Sequence, residues 1–223
     1  MIRIAPANPG LFNVGYKGCT FSMLKNDRWI REQAVQGMIE PFQLDLVRQV
    51  IVNDFDGEPI RKVLSYGCSS YGYDIKLSAK DFKIFRHVPG TVMNPKRFNP
   101  ANLEPVALER DGDGAFFILP AHSYGLGVAL EKLRVPPNIT VICLGKSTYA
   151  RLGIIVNTTP AEASWEGHLT LEFSNSSGAD CRVYAEEGIC QLLFFEGDPC
   201  EVTYQDRNGK YQDQPEQVVF ARV

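Results

Sequence analysis

Residues Gly145 to Phe173 read GKSTYARLGIIVNTTPAEASWEGHLTLEF. The last six decide the fold class. Leu169, Leu171 and Phe173 alternate with His168, Thr170 and Glu172, and a period of two places successive side chains on opposite faces of a β-strand. The apolar set faces a core, so Glu172 becomes a carboxylate in mid-strand on the other face. At the start of the stretch, Lys146, Ser147, Thr148 and Arg151 gather two cations and two hydroxyls between Gly145 and Gly153, where the chain can turn sharply. One helical turn there would bring Ser147 and Arg151 onto one face. GKST suggests a phosphate loop, but Thr140 stands where that loop needs a glycine. Taken singly, a Glu on the polar side of a strand and a Lys/Arg pair in a turn are ordinary solvated groups.

Outward from this stretch the same period recurs. Phe82–Phe85, Ala115–Leu119, Tyr124–Leu130, Thr140–Leu144, Ile154–Asn157, Cys181–Tyr184, Gln191–Phe195 and Glu201–Tyr204 are short β-like runs separated by turn residues such as Pro136-Pro137-Asn138. Residues 65–78, SYGCSSYGYDIKLS, alternate from Tyr71 onward, with Tyr71, Tyr73 and Ile75 on one face and Asp74 and Lys76 on the other. Many short strands at this spacing predict an all-β sandwich, jelly roll or barrel. A short helix is expected after Asn26 and Asp27, with Trp29, Ile30 and Ala34 at helical spacing and Gly37 just past its end. Asn53–Pro59 reads as a loop. Residues 1–22 show no sustained period and read as a flexible N-terminal extension, which leaves 23–223 as one domain. Its polar end, from about residue 205, suits a mobile C-terminal lid.

Composition narrows the function. The chain has 223 residues, 44% hydrophobic and 22% charged, with a net charge of -3, which suits one globular domain without general attraction for nucleic acid or anionic membrane. No secretion signal or long apolar stretch is present, so a cytoplasmic protein is expected. The six cysteines form no CxxC pair, His87, His122 and His168 are scattered, and no zinc-ligand spacing occurs. Cys143 and Cys190 sit in apolar runs and read as small buried hydrophobes.

GKSTYARLGIIVN followed by WEGHLTLEFSN, with NDRWIREQAVQGMIEPF, SYGCSSYGYDIKLS and KYQDQ, resembles the dCTP deaminase family, a branch of the dUTPase-like superfamily. The likeness runs from Met23 nearly to the end. It implies a distorted jelly-roll or dUTPase-like β-barrel and a zinc-independent hydrolase that converts dCTP and water to dUTP and ammonia. It also implies a homotrimer with sites at subunit interfaces and Mg²⁺ bound through the substrate triphosphate, with no protein metal ligand.

Carried onto this sequence, the resemblance implies Glu172 as proton shuttle, with Ser147 and Arg151 positioning the attacked group and the water. Lys146 and Thr148 would face the triphosphate, with Tyr149 and Ala150 in the same motif. Thr170, Leu171, Gln191, Tyr204, Lys210 and Gln214 match further nucleotide contacts. A carboxylate held out of water has a raised pKa that suits proton transfer. Arg151 nearby would lower it again, and the residues leave both effects open. Thr158 stands where relatives commonly have Val, Ala161–Ser164 replaces a bulkier stretch, and Asp213 occupies a position often Gly or Asn. Residues 159–165, TPAEASW, contain no aspartate. The dUTPase-like hydrolases carry an Asp in this region, so its absence favours a reaction ending at dUTP over a dUTPase or a bifunctional enzyme. A catalytically silent nucleotide-binding relative is the remaining alternative, and intact Ser147, Arg151 and Glu172 speak against it.

Overall fold

The computed structural model describes residues 23–52, 60–86 and 88–223. The expected N-terminal extension and the Asn53–Pro59 loop lie outside the described residues. Helix α1, Asp27–Val35, is capped by Asn26, whose Oδ1 accepts from Trp29 N at 3.2 Å. Gly37 follows it at φ +88°, a left-handed conformation open to glycine at little cost.

Thirteen strands follow in chain order: β1 Ile39–Glu40, β2 Val47–Ile51, β3 Ile60–Ser69, β4 Gly72–Phe85, β5 Leu103–Pro105, β6 Glu109–Asp111, β7 Gly114–Leu119, β8 Tyr124–Arg134, β9 Ile139–Gly145, β10 Ile154–Asn157, β11 Glu166–Asn175, β12 Cys181–Tyr184 and β13 Gly188–Glu196. One four-residue helix, α2 Ser147–Ala150, separates β9 from β10. The all-β expectation holds. Every strand pair is antiparallel, and the main sheet runs β10-β11-β8-β4-β13-β9. A smaller sheet, β12-β7-β6, packs beside it. The two ends of the long path return to each other, since a Cβ added to Gly145 of β9 would lie 3.3 Å from Val156 O of β10. The sheet therefore rolls into a barrel.

Its interior is filled by the apolar faces that the period of two creates. β11 alternates buried and half-buried residues along its whole length, with Leu171 and Phe173 fully enclosed. Phe82 of β4 stacks on Phe117 of β7 at 4.9 Å and meets Phe173 at 5.1 Å, tying the two sheets together. Each such side chain contributes roughly 1.5–3 kcal/mol on leaving water. Among the described residues, three carboxylates are buried with this core, Asp74, Glu131 and Glu187. Glu131 of β8 is pushed up to about 7 by burial, against the opposing pull of the Lys76 backbone N–H and ammonium.

The structure corrects two strand readings. Residues 65–78 are a hairpin, β3 to β4, and Tyr71 is exposed at its turn while Tyr73 and Ile75 enter the core. Asp74, placed on the polar side by alternation, is only 4% exposed because β13 pairs against it. Glu201–Tyr204 is not a strand. The Asp206 carboxylate accepts from Thr203 N at 2.9 Å and from its hydroxyl at 2.7 Å, and this local bonding replaces a ladder with turns.

The C-terminal segment lies along β11. Asp213 N donates to Glu166 O at 2.9 Å, and His168 N donates to Gln214 O at 3.0 Å. Gly167, at φ +139°, permits this approach, since a Cβ there would sit 2.6 Å from Gln214 N. Asp213 has φ +56°, a left-handed conformation that Gly and Asn adopt more readily than most residues.

Candidate active site

β11 delivers Glu172 to the wall of a cavity of about 800 Å³. The side chain is half-buried, and its Oε2 accepts from Asn157 Nδ2 of β10 at 3.1 Å. Residue pairing explains the placement: Glu172 lies opposite Asn157 on one side and Leu126 of β8 on the other. Two residues along the same face, Thr170 donates its hydroxyl to Gln214 Oε1 at 2.9 Å and accepts from Val219 N at 3.2 Å. Tyr204, Lys210 and Gln214 of the C-terminal segment close the same cavity.

Five contacts, three to residues 162–165 and two within the segment, fix it as a wall. Trp165 Nε1 donates to Tyr211 O at 2.8 Å, Tyr204 N to Ala163 O at 2.9 Å and Tyr211 N to Tyr204 OH at 2.9 Å. Glu162 pairs with Arg207 across the gap. Lys210 donates to Arg222 O at 2.8 Å. Opposite these polar groups, Phe85, Phe98, Tyr124 and Leu126 form an apolar wall. The Tyr124 phenol is pushed up first by burial and then by the Glu172 carboxylate, so its hydroxyl is a neutral donor beside that acid. A cavity of this size with one apolar wall and convergent polar groups matches a small-molecule site. Glu172 can accept a proton there, and Asn157 fixes its rotamer.

Lys146, Ser147, Thr148, Arg151 and Gln191 do not line that cavity. They gather where β9 ends, α2 turns and β10 begins. Ser147, Thr148, Ala150 and Arg151 are exposed, and Arg151 Nη1 donates back to Ser147 O at 3.0 Å. Arg151 forms no ion pair with Glu172 among the described residues. Tyr149 turns inward instead, only 2% exposed, and its hydroxyl accepts from Tyr184 N at 2.8 Å. Leu171 likewise points into the core. Lys146 pairs with Asp74 and donates to Ser65 Oγ at 2.9 Å, while Gln191 Nε2 reaches Asp74 Oδ1 and Ser69 Oγ, each at 3.2 Å. Asp74 and Asn157 are residues that sequence reasoning missed. The signal for Asp74 was a carboxylate between Tyr73 and Ile75, where a strand so apolar demands a partner for it.

Flanking this turn, Ile142 and Leu144 of β9, Leu152, and Ile155 of β10 are exposed, Leu152 and Ile155 by 55% and 57%. Of the described cysteines, Cys190 is buried, Cys143 is half-buried, and all are free thiols. Among the described residues no group of three or more His, Cys, Asp or Glu is arranged to hold a metal ion, and no helix is long and apolar enough to cross a membrane.

A family model described as dCTP deaminase-like matches residues 24–197. The chain belongs to that family. Among its relatives, the dCTP deaminase of Acidobacterium capsulatum is 48% identical over 192 residues, which cover 86% of this chain and 94% of that protein. The dCTP deaminase of Paracidovorax citrulli is 50% identical over 193 residues, covering 86% and 95%. A solved structure of 2'-deoxycytidine 5'-triphosphate deaminase from Agrobacterium tumefaciens aligns with a TM-score of 0.49 at 18% identity, over 78% of this chain and 48% of that one.

Proposed function

We propose that this member of the family is a cytoplasmic dCTP deaminase that hydrolyses dCTP to dUTP and ammonia without zinc. The observation that carries the reading is Glu172, half-buried on the wall of a cavity large enough for a nucleotide. Water adds to C4 of the cytosine ring as Glu172 takes its proton. Glu172 then returns the proton to the exocyclic nitrogen, the C4–N bond breaks, ammonia leaves, and the remaining hydroxyl proton moves to N3 to give the uracil ring. A positioned carboxylate supplies roughly 10²–10⁴-fold in such proton transfers.

Ser147 and Arg151 hold the water and the attacked group, and they come from a neighbouring copy in a homotrimer. Two observations support this assembly. The motif residues lie off the Glu172 cavity within one chain, and they sit among the exposed apolar side chains Ile142, Leu144, Leu152 and Ile155. Lys146 and Thr148, on the same turn, meet the triphosphate, with Lys210, Gln214 and Tyr204 on the opposite side, where the C-terminal segment acts as lid. Mg²⁺ enters on the phosphate oxygens, which suits an ion that keeps its waters and binds through substrate phosphates.

The reaction stops at dUTP. Glu162 is the only carboxylate in 159–165, and it is engaged by Arg207 rather than free to hold a second water. Incubation with dCTP and Mg²⁺ should yield ammonia and dUTP in equal amounts. Pyrophosphate and dUMP would overturn the single-reaction reading, and the absence of ammonia would overturn the deaminase.

A further inference from the structure

Strands β3, β4 and β13 and the end of β9 converge on one buried carboxylate. Asp74 lies opposite Gly67 of β3 and Gln191 of β13 and is 4% exposed. An ionised carboxylate can only accept hydrogen bonds, and burying one is costly unless its oxygens are paired. Both are. Oδ2 takes the Lys146 ammonium and the Ser65 hydroxyl, the latter at 3.4 Å, and Oδ1 takes the Gln191 amide at 3.2 Å.

This pairing decides what two site residues can offer a ligand. Lys146 has three N–H donors; Asp74 and Ser65 take two of them. The Gln191 amide must turn its NH₂ toward an acceptor-only carboxylate, and its remaining N–H goes to Ser69 Oγ at 3.2 Å. Its Oε1 is therefore turned away from Asp74. One N–H of a fixed ammonium and one amide oxygen are what remain for a nucleotide.

We propose that Asp74 is a positioning residue for nucleotide binding: one of its oxygens aims Lys146 and the other aims Gln191. The proposal rests on the deaminase reading, since the ligand at stake is dCTP. Asp74 touches no substrate itself; its effect on binding passes through the two residues it holds.

A double-mutant cycle on the full chain separates this role from a merely structural ion pair. Calorimetry measures dCTP affinity for wild type and D74N, each also in a Lys146→Met/Gln191→Ala background. D74N should weaken dCTP about tenfold in the wild-type background and less than about twofold where nothing is left to aim. Steady-state kinetics should put the change in KM, with kcat held within about threefold. An equal loss in both backgrounds, or no loss in wild type, overturns the proposal. Should D74N fail to fold, Ser65→Ala removes only the hydroxyl shared by Lys146 and Asp74. It should cost about threefold in wild type and nothing in the double variant; equal effects again overturn the idea. Wild type that binds dCTP but releases no ammonia would sink the deaminase reading and leave the cycle readable by affinity alone.

Discussion

The cavity around Glu172 and the turn around Lys146 are built in opposite ways. The first is concave, walled by Tyr204, Lys210 and Gln214 of the docked C-terminal segment, and holds a half-buried acid with no ion-pair partner among the described residues. The second lies on an exposed turn, with Ser147, Thr148 and Arg151 exposed beside bare Leu144 and Ile155, and its lysine is neutralised by Asp74. One region has a place for a substrate and a proton acceptor. The other has exposed hydroxyls and a guanidinium that lie off that cavity. On the proposed reading neither alone completes a site for acid–base chemistry on a triphosphate, which needs both, and the exposed apolar side chains around the second suit a surface covered by another copy.

The largest effect belongs to the concave half. Glu172→Gln keeps the bond from Asn157 but cannot take a proton, so turnover should fall by roughly 10²–10⁴-fold with dCTP binding retained. Near-normal turnover would remove Glu172 from the chemistry. Next comes the exposed half. Leu144→Glu with Ile155→Glu puts charges on the surface proposed to meet a neighbouring copy, where an unpaired charge would cost several kcal/mol. Size-exclusion chromatography should show monomers with intact β circular dichroism and activity lost in proportion. A monomer of full activity would break the comparison, because one chain would then suffice. The smallest effect is at the cavity's rim: Lys210→Ala should raise KM for dCTP about three- to tenfold with little change in kcat, and a kcat effect alone would argue against a phosphate contact.

The two halves were not equally legible in the sequence. β11 could be read from six residues because period two acts within a strand and needs no partner; Leu169, Leu171 and Phe173 enter the core as the alternation predicts. The capped helix after Asn26 is local in the same sense. Asp74 was hidden because its burial comes from β13, more than a hundred residues away in sequence, and alternation carries no information about which strand lies alongside. The Glu201–Tyr204 run has strand-forming residues, yet the Asp206 side chain outcompetes a ladder by bonding three residues back. The tail beyond residue 205 has the polar composition of a mobile segment, and Gly167, Trp165 and Thr170 supply a docking track for it that only the folded chain assembles. The separation of Ser147 and Arg151 from the Glu172 cavity is likewise a property of the closed barrel. It is invisible in a stretch where the three residues stand within one motif.

Subunit mixing tests that separation directly. Glu172→Gln and Arg151→Ala should each be nearly inactive alone. Co-expressed in equal amounts and purified as the whole random population of trimers, they should recover about one quarter of wild-type activity, because random assembly pairs an intact Arg151 with an intact Glu172 of the neighbour at about one interface in four. Recovery at that level supports a site completed between copies. No recovery from trimers shown by mass spectrometry to be mixed would contradict it and return both residues to a single chain.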